Sequence, residues 1–218
     1  AAHPDDPYVC SKLGALYVQM GDVAGGMALL QRGLAALTPE STVDRPFTPE
    51  ASPFPNFQVC YELHYHLGRA YSRLQQFPLA EQHYRTALQQ PILDRLKLGA
   101  QNNLGSLLQT KGDLAGAKAA YQACLAIDPD FAIGYYNLGM VLKGLGQLGD
   151  AVMCYQRAIA LKPDYAEAHQ NLGVVLLKLG RIPDSLQAFQ KAINLYQQQN
   201  PAAATQLQQK LQELGFQR

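Results

Sequence analysis

One pattern constrains this chain more than any other. Residues 132–165, AIGYYNLGMVLKGLGQLGDAVMCYQRAIALKPDY, are followed without a gap by residues 166–199, AEAHQNLGVVLLKLGRIPDSLQAFQKAINLYQQQ, a second copy of the same 34-residue unit. Leu138-Gly139 returns as Leu172-Gly173, and Tyr155 and Ala158 return as Phe189 and Ala192. A fixed period in this range marks a chain of stacked units, each packing on its neighbours. The usual count of one large or two small domains for 218 residues therefore does not apply.

Composition narrows the partner. Eighteen basic and seventeen acidic residues leave a net charge of +1, without the clustered basic excess that a nucleic acid or an anionic membrane would need. No apolar run has the length of a membrane span and no signal peptide is legible, so membrane insertion is not expected. The chain opens at Ala1 rather than Met, as an excised fragment would. Cys10, Cys60, Cys124 and Cys154 are far apart with no CxxC pair, which speaks against a disulfide framework or a zinc site and for a reducing, cytoplasmic compartment.

Read in order, Ala1 to Asp6 is a tail whose HPDD at 3–6 matches DPDF at 128–131 and KPDY at 162–165, the endings of repeats. A further repeat before Ala1 is the expectation. Repeat one covers about 7–40. Leu13, Leu16, Tyr17 and Met20 fall on one helical face, Gly21-Asp22 breaks the helix, and a second helix runs from about Val23 to Leu37. From 38 to 55 the helical period is lost among Pro39, Pro46, Pro49, Pro53 and Pro55, with Phe47 and Phe54 between them. This insertion is either a tolerated surface loop or a proline-stiffened flap that gives the protein its specificity. Repeat two resumes near Asn56, a predicted N-cap, and occupies about 61–94 in register. Asp94 is placed to cap the lengthened first helix of repeat three, about 98–131; repeats four and five are 132–165 and 166–199. Beyond Asn200-Pro201, Leu207, Leu211 and Leu214 stripe a glutamine-rich helix, about 202–214, expected to cap the array.

Aligned on the Leu-Gly pair, the five copies agree at Gly14, Gly68, Gly105, Gly139 and Gly173. The small residues Gly26, Ala80, Ala117, Ala151 and Ser185 follow, then Leu30, Tyr84, Tyr121, Tyr155 and Phe189, then Gly33, Ala87, Cys124, Ala158 and Ala192. Glycine inside a helix costs about 1 kcal/mol relative to alanine. Its fivefold recurrence at one place implies that another helix passes too close for a side chain. The pattern resembles the tetratricopeptide repeat (TPR) from Pro7 to about Gln199. The resemblance implies an all-α superhelix, a TPR solenoid of five helix-turn-helix repeats plus the C-terminal capping helix, with first helices lining a concave groove.

In that family the residue before the Leu-Gly pair points into the groove. Here those residues are Lys12, His66, Asn103, Asn137 and Asn171. An asparagine amide offers donors and an acceptor and can pair with a peptide main chain whatever its side chains. Such a ladder resembles the TPR region of O-linked N-acetylglucosamine transferases, which implies main-chain contacts to an extended protein segment; the alternative is support of neighbouring helices. Tyr65, Arg69, Asn102, Ser106, Tyr136, Met140, Lys143, Glu167, Gln170 and Lys178 join the same expected face, where Tyr65 and Tyr136 are either contacts or buried spacers. The cation clamp of heat-shock chaperone adaptors does not match: Asn102, Glu167 and Asn171 stand where it needs cations.

No nucleophile motif, phosphate-binding glycine loop or HExxH is present, and Cys60, His64 and His66 form only a weak metal pattern. No cofactor or enzymatic activity is expected. The reading is a protein-interaction scaffold that binds an extended peptide segment through Asn103, Asn137, Asn171, His66, Tyr65, Arg69, Tyr136 and Lys143. The alternative is the substrate-recruiting arm of a larger enzyme such as a glycosyltransferase or methyltransferase. Self-association through an exposed array end is a further expectation.

Overall fold

Glycines and aspartates set the rhythm of the chain. Each first helix ends at a residue with positive φ: Gly21 (101°), Gly112 (82°), Gly146 (75°) and Gly180 (73°), with Gln75 (58°) in repeat two. Glycine takes this left-handed conformation at no steric cost, and it reverses the chain into the second helix. Asp22 and Asp113 then cap second helices, each carboxylate accepting the N–H three residues on at 2.9 Å. The computed structural model describes residues 5–37 and 55–216. Two expectations therefore fall wholly or partly outside the described residues: the HPDD match, of which His3 and Pro4 are not included, and the Pro-rich insertion at 38–54.

Eleven helices and no strand occur among the described residues. The chain divides into two compact units, Ala1–Gly112 and Asp113–Arg218, with the division in the turn of repeat three. In the first unit, α1 (Pro7–Met20) pairs with α2 (Val23–Ala36), α3 (Pro55–Arg73) pairs with α4 (Phe77–Leu88), and α5 (Asp94–Thr110) packs on α4 and α3. In the second, α6 (Leu114–Ile127) precedes the hairpins α7 (Ala132–Gly144) with α8 (Leu148–Leu161) and α9 (Ala166–Lys178) with α10 (Ile182–Gln199), closed by α11 (Pro201–Glu213).

The close approach inferred from the glycines is present. A Cβ on Gly68 would lie 2.6 Å from the Tyr84 ring, on Gly139 2.8 Å from Tyr155, on Gly173 2.8 Å from Phe189, and on Gly14 2.6 Å from Leu30. Each aromatic or leucine of the second helix thus lies in the gap left by the missing side chain, and Leu30, Tyr84, Tyr155 and Phe189 are all buried. The small-residue places are equally closed; Ser185, the polar member of its set, donates to the Gly173 carbonyl at 2.8 Å.

Four local expectations need correction. Leu13, Leu16, Tyr17 and Met20 share a helical face, but it is the uncovered one, 42–76% exposed; α1 buries Cys10, Ser11, Gly14 and Val18 instead. In repeat two the matching Leu67 is buried against Leu30 and Leu34 of the preceding second helix, whereas no helix precedes α1 among the described residues. Asn56 lies inside α3, which already includes Pro55, and is not its N-cap. Asp94 is the first residue of α5 rather than its cap, because Leu93 takes the cap position; the Asp94 carboxylate sits 3.5 Å from Lys97. In the capping helix, Ala204 joins Leu207 and Leu211 on the buried stripe with Ile193 and Tyr196, while Leu214 lies past the helix end and is exposed.

Candidate functional site

The first helices carry a hydrogen-bonded tyrosine–asparagine pair that appears once in each unit. In the first unit, Asn103 on α5 donates to the Tyr65 hydroxyl of α3 at 3.4 Å. Gly99, one turn earlier on α5, makes room: a Cβ there would lie 3.1 Å from that hydroxyl. The Tyr65 ring stacks in parallel on Tyr61 with centroids 5.8 Å apart. The Arg69 guanidinium lies 5.8 Å from the Tyr65 centroid, and the His66 ring lies 5.1 Å from it. Tyr61 is anchored in turn by donating to the Leu96 carbonyl at 2.5 Å.

His66 is half-buried, and burial first, then the positive charges of Arg69 and Lys12, push its imidazole down to about 4 against the pull of Glu62. It is a neutral donor and acceptor at physiological pH. Lys12 itself is exposed and ion-paired with Glu62 at 2.6 Å, and Ser11 also donates to that carboxylate at 3.2 Å.

In the second unit the pair is Asn171 on α9, donating to the Tyr136 hydroxyl of α7 at 3.2 Å. The same amide nitrogen donates to the Glu167 carbonyl at 3.0 Å, and Oδ1 accepts the Lys143 ammonium at 2.6 Å. Asn171 therefore ties α9 to α7 through both ends of its side chain. Tyr136 also meets the Tyr165 ring with centroids 4.8 Å apart. Burial, then the negative charge of Glu167, raise the Tyr136 phenol, which stays protonated as a donor. Gln170, beside Asn171, accepts from Tyr196 at 2.8 Å. Asn137 is half-buried on α7 between Tyr136 and Leu138.

The structure thus joins Tyr65 with His66, Arg69 and Asn103 in one unit, and Tyr136 with Lys143 and Asn171 in the other. The support role weighed for the asparagines is visible at Asn103 and Asn171. Sequence reasoning passed over Tyr165 and Tyr196, which flank this surface; the repeated aromatic at 131 and 165 was the available signal.

The histidines arrange differently from the sequence pattern. His64 pairs with His83 of α4, Nδ1 to Nδ1 at 2.9 Å, and His83 stacks on Tyr71 with centroids 5.2 Å apart. One ring donates and the other accepts; burial first, then the charge of His83, push His64 down to about 4, and burial lowers His83 as well. Among the described residues no group of three or more His, Cys, Asp or Glu side chains converges as a metal cage would require. Nor is any helix of the described residues long and apolar enough to cross a membrane.

Comparison with known proteins matches this architecture. TPR repeat profiles match residues 105–146 and 141–180, and tetratricopeptide repeat profiles match 166–199 and 61–90. A TPR repeat-containing protein of Synechococcus elongatus is 36% identical over 129 residues, covering 59% of this chain and 28% of that protein, so the chain spans little more than a quarter of that relative. The crystal structure of MamA aligns with a TM-score of 0.67 at 22% identity, over 85% of this chain and 95% of that one. YrrB, a TPR protein with an unusual peptide-binding site, aligns with a TM-score of 0.69 at 16% identity, over 94% of this chain and 93% of its own. MamA from Desulfovibrio magneticus gives 0.71 at 18% identity, over 92% and 99%. At these identities the structural likenesses speak for the fold. With repeat profiles matching more than half of its residues in the register that its glycines and aromatics define, the chain belongs to the tetratricopeptide-repeat family.

Proposed function

We propose that this chain is a non-catalytic protein-interaction scaffold that holds an extended segment of a partner protein against the inner face of its first helices. The observation that carries this reading is the fixed tyrosine–asparagine pair in each unit, Tyr65 with Asn103 and Tyr136 with Asn171. Each tyrosine is half-buried and held by a hydrogen bond and ring contacts, so its remaining face meets a ligand without further loss of side-chain freedom. Tyrosine and arginine are also the residue types that concentrate binding energy at interfaces. Arg69 beside Tyr65, and Lys143 beside Asn171, add directional donors to the same surfaces.

In this reading Asn103, Asn137 and Asn171 both order the surface and pair with the main chain of the bound segment. The groove performs this role equally in a free-standing scaffold and in the recruiting arm of a longer enzyme. The likeness in fold to YrrB, a protein with a peptide-binding site, favours the peptide class of ligand. The uncovered apolar stripe of Leu13, Leu16, Tyr17 and Met20 on α1 supports self-association through that face. The test is selection of short random peptides on the immobilised chain, followed by affinity measurement on the Asn103→Ala/Asn137→Ala/Asn171→Ala variant. A loss of about tenfold with the helical spectrum retained is expected if one charge-free hydrogen-bonding contact or more is removed. Undiminished affinity in that variant overturns the asparagine reading.

A further inference from the structure

Repeat two departs from the later repeats at one place between its two helices. The register that pairs Gln101 with Ala120, Tyr135 with Cys154 and His169 with Ala188 sets His64 of α3 opposite His83 of α4. The two half-buried imidazoles point at one another, Nδ1 to Nδ1 at 2.9 Å, with ring centroids 5.1 Å apart. Tyr71 stacks on His83 with centroids 5.2 Å apart, and the Tyr71 hydroxyl accepts from Gln31 of α2 at 3.4 Å. The His83 ring is thus braced through Tyr71 by a third helix. Half-burying two polar rings costs more than burying the alanine or cysteine that the later repeats place there.

Imidazole nitrogen is the commonest protein ligand for a metal ion. With metal–nitrogen bonds of about 2.0–2.1 Å, two ligands lie about 3.3 Å apart in a tetrahedral site and about 2.9 Å apart at a right angle. The observed 2.9 Å is within a few tenths of an ångström of both spacings, so a small rotation of the rings aims both Nδ1 atoms at one ion. In the metal-free pair, one Nδ1 carries the proton that the other accepts. On metal binding that proton passes through water to Nε2 of the donating ring, both Nδ1 atoms present a lone pair, and no proton is released. Burial lowers both imidazoles below their ordinary range, so near neutral pH an incoming ion does not compete with protonation.

We propose that His64 and His83 form a two-imidazole site for a divalent transition-metal ion such as Zn²⁺, which clips α3 to α4. Among the described residues no third His, Cys, Asp or Glu joins the pair, so water fills the remaining coordination positions. Imidazole ligation selects the zinc, copper and nickel class over Mg²⁺ and Ca²⁺, which prefer oxygen. The site lies between the two helices of one hairpin and does not depend on the peptide-binding reading.

The test is a titration of the isotopically labelled whole chain with Zn²⁺, its thiols kept reduced by a phosphine, with the imidazole nitrogens followed by nuclear magnetic resonance. Nδ1 of His64 and Nδ1 of His83 should shift together along one isotherm for one ion per chain. His64→Gln and His83→Gln should each weaken that isotherm about tenfold or more, while His169→Gln, at the matching place of repeat five, should leave it unchanged. Zn²⁺ should raise the thermal midpoint of the wild type and of neither His64→Gln nor His83→Gln, and Mg²⁺ should raise none. If either variant fails to fold, the nitrogen assignment in the wild type still decides. Metallation at Nε2, at another histidine or at a cysteine overturns the site, as does an affinity that survives in both variants. A wild type whose His64 and His83 nitrogens do not move with Zn²⁺ overturns it as well.

Discussion

Replacing Gly139 by alanine sets two known effects against each other. Alanine is the better helix former by about 1 kcal/mol, and position 139 lies well inside α7. The added Cβ would lie 2.8 Å from Tyr155 Cε1 and 3.0 Å from both Cδ1 and Cζ. The Tyr155 ring is fully buried, so giving way to the added carbon means displacing its neighbours. Forcing an extra carbon into such packing costs about 1–3 kcal/mol. Overpacking therefore exceeds the propensity gain, and Gly139→Ala should lose about 1 kcal/mol, or about 2–4 °C in melting temperature for a chain of this size. Gly139→Leu should lose more. Gly149 provides the control: it is the second residue of α8, and a Cβ there meets nothing within 4 Å. Gly149→Ala should be neutral or stabilising by about 0.5 kcal/mol. Urea unfolding followed by circular dichroism measures both. The reasoning is refuted if Gly139→Ala is as stable as the wild type, or if the two alanines shift the midpoint in the same direction.

Other expectations follow from particular contacts. Gln75 holds the positive φ that glycine holds in the other four repeats, at a cost of about 1–2 kcal/mol for a residue with a Cβ; Gln75→Gly should raise the thermal midpoint, and a lowered one contradicts the strain. The carboxylate of Asp113 caps α6, so Asp113→Ala should cost about 1 kcal/mol in the same urea assay. His64 and His66 both sit near 4 when folded, below the ordinary 6.5, so the unfolded chain binds more protons between those values. Their contribution to stability is complete above about pH 6.5 and is lost as pH falls towards 4. Urea midpoints taken from pH 7.5 downwards should decline through that window, and less steeply in His64→Gln/His66→Gln; an unchanged slope in that variant would contradict the assignment.

How legible was this in the sequence? The hairpins were legible because the same four places, Gly139, Ala151, Tyr155 and Ala158 in the fourth copy, recur in register, and close helix packing leaves few residue types able to occupy them. Helix starts were less legible. Asn56 and Asp94 have the chemistry of caps, yet Asn56 follows Pro55, which is already helical, and Asp94 is the first residue of α5 with Leu93 at the cap. The stripe on α1 shows the limit of periodicity: it identifies a face and cannot tell which neighbour, if any, covers it. At the candidate site the residue positions were readable, but their partners were not. The pairing of Asn171 with Tyr136 and Lys143, and of His64 with His83, joins residues 19–35 places apart that no local pattern connects.

The most direct test of the central claim is a titration of the isotopically labelled chain with a selected peptide, followed by nuclear magnetic resonance. The side-chain amides of Asn103, Asn137 and Asn171 and the backbone of α3, α5, α7 and α9 should shift with one common affinity, while the second helices α4, α8 and α10 stay nearly unchanged. Shifts concentrated on the second helices, with those three amides unmoved, would contradict the account.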